Sequence, residues 1–151
     1  MPDPVLETRW LASLQGSIPQ PAMVSETLMV FNVLDGKIEG PRLNATLRSP
    51  SGDWARIQPG GNWRLDVRLL LETDDGVPIF MHYNGVLRMA PGLGERIAAG
   101  EEIPGSEMYF RSSPYFETSS ERYSWLNDIL VIGAMRSFGG GNVVYDLFEV
   151  L

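Results

Sequence analysis

Arg64-Leu-Asp-Val-Arg-Leu-Leu-Leu-Glu-Thr73 runs directly into Asp74-Asp-Gly76, and this stretch of the sequence decides the fold class. Apolar side chains occupy every second position from Leu65 to Leu71, whereas most of the positions between them are charged. Successive side chains of a β-strand point to opposite faces, so the pattern predicts a strand with one buried face over residues 64–73. The Asp-Gly turn predicts a hairpin into a second strand over 77–88.

Short strands separated by Gly, Pro and Asp turns are predicted along the rest of the chain. Turns are expected at Asp35-Gly36, at 49–52 and at 59–62, and Gly40-Pro41 is expected to break a strand because proline cannot donate to a ladder. Residues 90–106 are predicted to form a loop with one helical turn, and a second helical turn capped by Ser119 or Ser120 is predicted over 119–126. The predicted strands cover 6–14 (with Trp10, Ala12 and Leu14 on one face), 27–34, 38–47, 53–58, 107–112, 114–117, 127–135 and 143–150.

This spacing of strands predicts an all-β protein with one domain, residues 1–151, built as a single antiparallel β-barrel of about eight strands with an interior cavity. Closing the sheet into a barrel removes exposed strand edges, which are prone to pair with other chains. A chain of 151 residues is long enough to bury a core of its own.

Composition narrows the classes of function. A net charge of −7 disfavours binding to nucleic acid or to an anionic membrane. The chain has no cysteine and one histidine, His82, which disfavours zinc sites and Ser-His-Asp triads. Asp74 and Asp75 are the best candidates for a carboxylate metal site, but a hairpin turn already accounts for them. We therefore expect no metal and no cofactor, and the absence of a signal-peptide pattern or a long apolar run indicates a cytoplasmic protein.

Motifs spread over nearly the whole chain carry a resemblance to one family. The first half contributes Gly36, Gly40-Pro41, Gly52-Asp53-Trp54, Leu65-Asp66-Val67-Arg68, Asp75-Gly76, Tyr83 and Gly85, and the second half contributes Phe110-Arg111, Pro114, Phe116-Glu117-Thr118, Tyr123, Trp125-Leu126-Asn127 and Tyr145. In their order and spacing these motifs resemble the DUF3237 family, also called the UPF0311 proteins. The resemblance implies an antiparallel β-barrel with an interior cavity, and it implies no particular activity.

Asp66 and Arg68 are the first candidates for a site, because residues two apart on a strand point the same way. Alternation alone leaves two alternatives. Either the leucine face forms the core and the charged face lies in water, or Asp66 and Arg68 line the lumen of the barrel. The Asp-x-Arg pair belongs to the family's shared pattern, so the resemblance favours the lumen. There, the two side chains would polarise a carbonyl or bind a carboxylate.

Further candidates surround this pair. Trp54 and Trp125 offer aromatic surface with a polar N–H group for a flat ligand, or they cap the core. Arg111, Glu117 and Tyr123 lie close to Pro114, where a broken strand would turn them into the barrel mouth; the alternative is an exposed ion pair. The predicted substrate-binding residues are Asp53, Trp54, Phe116, Glu117 and Trp125, and the predicted catalytic residues are Asp66, Arg68, Tyr83, Arg111 and Tyr123.

Two functions fit these residues. The first is a cofactor-independent enzyme, an isomerase, cyclase or lyase acting on a small hydrophobic, oxygenated metabolite. Asp66 would act as the base or as the anchor for Arg68, Arg68 or Arg111 would stabilise negative charge, and Tyr83 or Tyr123 would donate a proton. The second is a barrel that binds or carries such a ligand without turnover. A pocketless barrel serving as an interaction module is a third, less favoured alternative. The chain is also expected to be able to form a homodimer.

Overall fold

The computed structural model describes the whole chain, Met1–Leu151. It contains twelve β-strands, one α-helix and two 3₁₀ turns, at Gly105–Glu107 and Ser124–Asp128. The elements are β1 (Thr8–Ser17), β2 (Ala22–Met23), β3 (Leu28–Asn32), β4 (Leu34–Glu39), β5 (Asn44–Ile57), β6 (Trp63–Thr73), β7 (Pro78–Leu87), α1 (Leu93–Ala98), β8 (Ile103–Pro104), β9 (Phe110–Ser112), β10 (Tyr115–Glu117), β11 (Val131–Gly139) and β12 (Asn142–Val150).

Eight of these strands close into an antiparallel barrel, as the sequence predicts. The ring runs β1–β4–β5–β6–β7–β9–β11–β12 and returns to β1, and every neighbouring pair is antiparallel. The remaining short strands pair at the margins of the ring; β3, for example, pairs with the second half of β5, and β10 with the first half of β7. Closure leaves none of the eight with a free edge along its whole length.

The barrel interior is the hydrophobic core. In β6 the alternation is the predicted one, because Leu65, Val67, Leu69 and Leu71 are buried. The predicted hairpin at Asp74-Gly76 joins β6 to β7, which pair along their whole length from Trp63↔Leu87 to Glu72↔Pro78. Two ends of the barrel follow from this register. One end, called here the cavity end, is marked by Ile57, Trp63, Leu87 and Gly139. At the other end, the second 3₁₀ turn adds the fully buried Leu126 to the core.

Strand irregularities account for two differences from prediction. The register shifts between Trp10 and Ala12, so Trp10 does not share a face with Ala12 but is 43% exposed. Residues 49–52 do not turn the chain either, because β5 continues through them with a register shift between Arg48 and Gly52. A bulge adds a residue to one strand without ending it, and short runs of Ser, Pro and Gly do not distinguish a bulge from a turn.

Asp35-Gly36 is likewise not a turn, since β4 continues through it. The glycine is needed there for another reason: a Cβ at Gly36 would lie 2.4 Å from the backbone oxygen of Gln15 on β1. The second helical turn also differs from prediction, beginning at Ser124 without a side-chain cap. The predicted helical turn in 90–106 is present as α1. None of the helical segments has the length and apolar composition needed to cross a bilayer.

Candidate functional site

The end of the barrel marked by Ile57, Trp63, Leu87 and Gly139 opens into a cavity inside the barrel. The enclosed space has a cavity volume of about 30 Å³, and the atom-free space rises to about 500 Å³ when the open solvent at its mouth is counted. Twelve of the fifteen lining residues are hydrophobic, which is typical of sites for organic ligands. The lining residues are Leu14, Gln15, Gly16, Ile18, Phe31, Val33, Asp53, Trp63, Leu65, Val67, Tyr83, Phe110, Phe138, Val143 and Tyr145.

Asp53, Tyr83 and Tyr145 are the acid–base groups of this cavity. Asp53 on β5 is paired with Val67 on β6, which in turn is paired with Tyr83 on β7. Asp53, Val67 and Tyr83 therefore lie in one cross-strand row. Side chains in such a row share a face of the sheet. The rings of Tyr83 and Tyr145 meet edge to face with their centroids 5.7 Å apart. One carboxyl and two phenols therefore face a largely apolar space.

Burial gives the Asp53 carboxyl unusual acid–base properties. Desolvation raises its pKa to about 7, against a smaller lowering by the hydrogen bond that the backbone N–H of Asp66 donates to Oδ1 at 3.1 Å; the negative charge of Asp66 raises it further. A carboxylate normally loses its proton near pH 4 and is a weak base at neutral pH. A pKa close to the working pH is what a general base requires. Asp53 is therefore suited to accept and return a proton.

The two phenols remain protonated. Burial, followed by the charge of Asp53, raises the pKa of Tyr83 above its usual range. Burial also raises the pKa of Tyr145 well above the ordinary value, with further contributions from Tyr83 and Asp53. A neutral phenol in an apolar site is a strong hydrogen-bond donor toward an oxygen that gains negative charge. The pair is therefore suited to polarise a ligand oxygen.

Aromatic rings line the route from solvent to these groups. The Trp63 ring lies 6.4 Å from that of Phe31 and 6.4 Å, edge on, from that of Phe138. Phe110 continues the series, with centroids 5.4 Å from Phe138 and 5.9 Å from Tyr145. Phe31, Trp63 and Phe138 also line a wider groove outside the cavity, together with Ile18, Pro19, Pro21, Met29, Ile97 and Gly139. A ligand entering from this groove meets flat apolar walls before it reaches Asp53.

The prediction that Asp66 and Arg68 face the lumen is wrong. They lie on the outer face of β6, where their side chains are 36% and 49% exposed, because Leu65 and Val67 occupy the inward positions. Asp66 Oδ1 lies 2.9 Å from His82 Nε2, and its Oδ2 lies 3.5 Å from an Arg68 guanidinium nitrogen. His82 Nδ1 is 2.9 Å from the hydroxyl of Tyr115. These residues form a polar network on the barrel surface.

Trp54 also lies on the outer face, 38% exposed, with the Arg68 guanidinium 5.4 Å from its ring centroid. Its neighbour Asp53 points inward instead, so the predicted Asp53-Trp54 pair is divided between two faces of the same strand. The separation follows from strand geometry, since adjacent residues point to opposite sides.

Tyr123 lies far from the cavity, at the opposite end of the barrel. Its hydroxyl donates a hydrogen bond to Asp75 Oδ1 at 2.9 Å, and Thr73 donates another to the same oxygen at 2.7 Å. The Thr73 and Tyr123 hydrogen bonds lower the pKa of Asp75 to about 2. This arrangement secures the β6–β7 hairpin against the chain that follows β10.

The other predicted site residues are also dispersed. Phe116 is part of the hydrophobic core, Glu117 is exposed on β10, and the Trp125 ring lies under the Arg42 guanidinium, 4.4 Å from its centroid. Arg111 lies in a cleft on the outer surface. The break at Pro114 does not turn Arg111, Glu117 and Tyr123 into the barrel mouth. Of the ten predicted site residues, the cavity brings together Asp53 and Tyr83.

Tyr145 is the acid–base group of the cavity that the candidate set omits. The sequence holds a signal for it, because Val143, Tyr145 and Leu147 alternate on the buried face of a predicted strand. A phenol on such a face needs a polar partner.

The structure contains no group of three or more His, Cys, Asp or Glu residues placed to hold a metal ion.

A family model described as "Protein of unknown function (DUF3237)" matches residues 6–150. The chain belongs to the DUF3237 family. Among its DUF3237 relatives is a UPF0311 protein of Rhodopseudomonas palustris strain TIE-1, 26% identical over 152 residues, with 98% of this chain and 99% of the relative covered.

Solved structures share the barrel. A conserved protein of unknown function from Rhodopseudomonas palustris superposes with a TM-score of 0.92 at 26% identity, with 99% of each chain covered. A protein described as an enzyme from Penicillium herquei superposes with a TM-score of 0.68 at 20% identity, covering 100% of this chain and 99% of that one. This last likeness concerns the fold.

Proposed function

We propose that this DUF3237 protein is a cofactor-independent enzyme that binds a small hydrophobic, oxygenated metabolite in its barrel cavity. Asp53 carries the proposal: it is a carboxyl with a pKa of about 7 in a cavity lined mainly by apolar and aromatic residues. Structural roles rarely need such a group, whereas proton transfer does.

The proposed reaction class is isomerisation, cyclisation or elimination. Asp53 removes a proton from a carbon or hydroxyl of the bound molecule, and the electrons of that bond move toward a carbonyl or leaving oxygen. Tyr83 and Tyr145 donate hydrogen bonds to that oxygen as its negative charge grows. The proton held by Asp53 then returns to another atom of the same molecule, or to the departing oxygen, so no oxidant or reductant is required.

The apolar walls contribute to both binding and rate. Phe31, Trp63 and Phe138 would stack on a flat ligand and exclude water as it enters. Exclusion of water strengthens the hydrogen bonds from the phenols and keeps the Asp53 pKa high. The barrel of the Penicillium herquei protein, described as an enzyme, is consistent with such use of the fold.

Asp53→Asn is the decisive variant, because an amide preserves the Oδ1 acceptor for the Asp66 N–H but cannot take a proton. The wild-type protein and Asp53→Asn are each incubated with a metabolite extract of the source organism, followed by untargeted mass spectrometry. Native mass spectrometry of the same samples records bound molecules. We expect a compound that wild type consumes and that Asp53→Asn binds without consuming.

Glu72→Gln serves as the matched control, since it makes the same acid-to-amide change on the outer face of the neighbouring strand, where Glu72 pairs with Arg48, and it should consume the compound as wild type does. A compound bound by all three proteins and consumed by none would contradict the enzyme and identify a carrier. Equal consumption by wild type and Asp53→Asn would contradict the role of Asp53.

A further inference from the structure

The basic residues of this acidic protein are divided in an unexpected way. The chain has twelve lysines and arginines against nineteen carboxylates. Eight of the twelve form ion pairs. The four that form none are Arg56, Arg64, Arg88 and Arg111, and all four lie in one region of the outer barrel surface.

Sheet register places these arginines together. Arg56 on β5 is directly opposite Arg64 on β6, Arg64 is opposite Val86 on β7, and Val86 is opposite Arg111 on β9. The row from Arg56 to Arg111 thus crosses four adjacent strands, about 14 Å at the usual spacing between strands. Like charges directly opposite each other in a sheet destabilise it. The nearest carboxylate along β6, that of Asp66, is engaged with His82 and Arg68.

Tyr109 holds two of the guanidinium groups. The Arg88 guanidinium lies 3.8 Å from the Tyr109 ring centroid, and that of Arg111 lies 5.5 Å from it. The backbone N–H of Arg88 donates to the Tyr109 carbonyl at 3.0 Å, which fixes the two residues side by side. Cation–π contacts orient guanidinium groups without neutralising them. The positive charge is therefore ordered before any ligand binds, and ordering in advance lowers the entropic cost of binding.

The arginines border a cleft on the outer surface. It lies between β7 and β11, which are joined only through the three-residue β9. Its lining includes Arg64, Tyr109 and Arg111 together with the polar residues Asn84, Ser112 and Ser113. Arg56 and Arg88 lie beside the cleft and do not line it.

From the row of unpaired arginines, two of which line the cleft, and from the ordered Tyr109 contacts, we infer that this arginine cleft is a binding site for a small multivalent oxyanion. The ligand class is a metabolite carrying at least two phosphate or carboxylate groups, which arginine recognises with paired hydrogen bonds. A nucleic acid is disfavoured, because a long polyanion would extend onto the surface of a protein with net charge −7. The site is separate from the barrel cavity and does not depend on the function proposed for it.

The test is isothermal titration calorimetry of the full chain at low ionic strength, with inorganic pyrophosphate and citrate as probes. Arg64→Gln and Arg111→Gln should each weaken binding about tenfold. Arg48→Gln is the matched control, because Arg48 also lies on the outer surface of β5 but pairs with Glu72 at 3.0 Å, so it removes one charge outside the site. It should bind as wild type does. Arg64 makes no side-chain hydrogen bond, so its variant should fold even if that of Arg111 does not.

Binding of both probes supports a general oxyanion site, and binding of pyrophosphate alone assigns it to phosphates. No binding of either probe, or equal weakening by Arg48→Gln and Arg64→Gln, would overturn the proposal. A twenty-nucleotide single-stranded DNA is titrated in parallel. Tighter binding of this DNA than of pyrophosphate, lost in Arg64→Gln, would overturn the small-ligand assignment in favour of nucleic acid.

Discussion

The carboxyl of Asp53 accepts a hydrogen bond from the backbone N–H of Asp66, and this is the one hydrogen bond that the protein donates to it. The ladder between β5 and β6 has no bridged pair between Asp53↔Val67 and Arg56↔Arg64. The Asp66 N–H lies in this unpaired part of the ladder, where it donates its hydrogen bond to the Asp53 side chain. One donor partly compensates for burial, so the carboxyl retains a raised pKa of about 7.

Asp53 should make the stability of the protein depend on pH between about 4 and 7. The folded state keeps the Asp53 proton up to about pH 7, whereas the unfolded chain releases it near pH 4. The stabilising contribution is therefore complete below pH 4 and is lost as the pH rises to 7, by roughly 4 kcal/mol at most. Urea denaturation of wild type and Asp53→Asn across this range measures the difference between them. A constant difference from pH 4 to pH 7 would contradict the raised pKa.

Tyr83→Phe should lower turnover of the cavity's substrate by about 10²-fold, because it removes one donor from the developing oxyanion. Tyr123→Phe is the matched control: it also removes a phenol oxygen from a buried ring, but its partner is Asp75 in the β6–β7 hairpin. It should lower the melting temperature and leave turnover unchanged. Similar turnover in both variants would remove Tyr83 from the proposed site.

Asp66→Asn and Arg68→Gln should leave ligand binding and turnover close to those of wild type, because both side chains lie on the outer surface and the Asp66 charge makes the smallest of the three contributions to the Asp53 pKa. The free energy of unfolding should change by no more than about 1 kcal/mol in either variant, since exposed ion pairs contribute little. Chemical denaturation and the turnover assay together check this. A loss of turnover comparable to that of Asp53→Asn would contradict the placement of the site inside the barrel.

Gly36→Ala should destabilise the barrel by about 2 kcal/mol or more, because the added methyl group would lie 2.4 Å from the Gln15 backbone oxygen where β1 pairs with β4. Gly94→Ala is the matched control. Its Cβ would have the Met89 sulfur at 3.8 Å as its nearest neighbour, and alanine is favoured over glycine within a helix such as α1. It should stabilise the protein by about 0.5–1 kcal/mol. Equal melting temperatures for the two variants would contradict the close approach of β1 and β4.

Local periodicity predicted the parts of the fold that depend on it. The alternation in β6 and the Asp-Gly turn into β7 gave the right strands, because one buried face requires every second residue to be apolar. The irregularities at Trp10 and at 49–52 depend on cross-strand register, which a single sequence does not display. The same alternation places Asp66 and Arg68 outside, and the prediction failed where the family pattern was given more weight than that periodicity.

The site was predictable only in part, for a related reason. Asp53 and Tyr83 were among the candidates, but their convergence depends on the register Asp53↔Val67↔Tyr83 across three strands. The contribution of Tyr145 from β12 depends on closure of the barrel, which brings the last strand around to face Tyr83. No spacing along the chain encodes either relationship.

The most direct measurement is a ¹³C NMR titration of the Asp53 carboxyl in the full chain, assigned by the loss of its signal in Asp53→Asn. The proposed function requires a carboxyl that exchanges its proton near neutral pH inside the cavity. We predict a titration midpoint close to pH 7. A midpoint near pH 4, the ordinary value for an exposed aspartate, would contradict the role of Asp53 as the base.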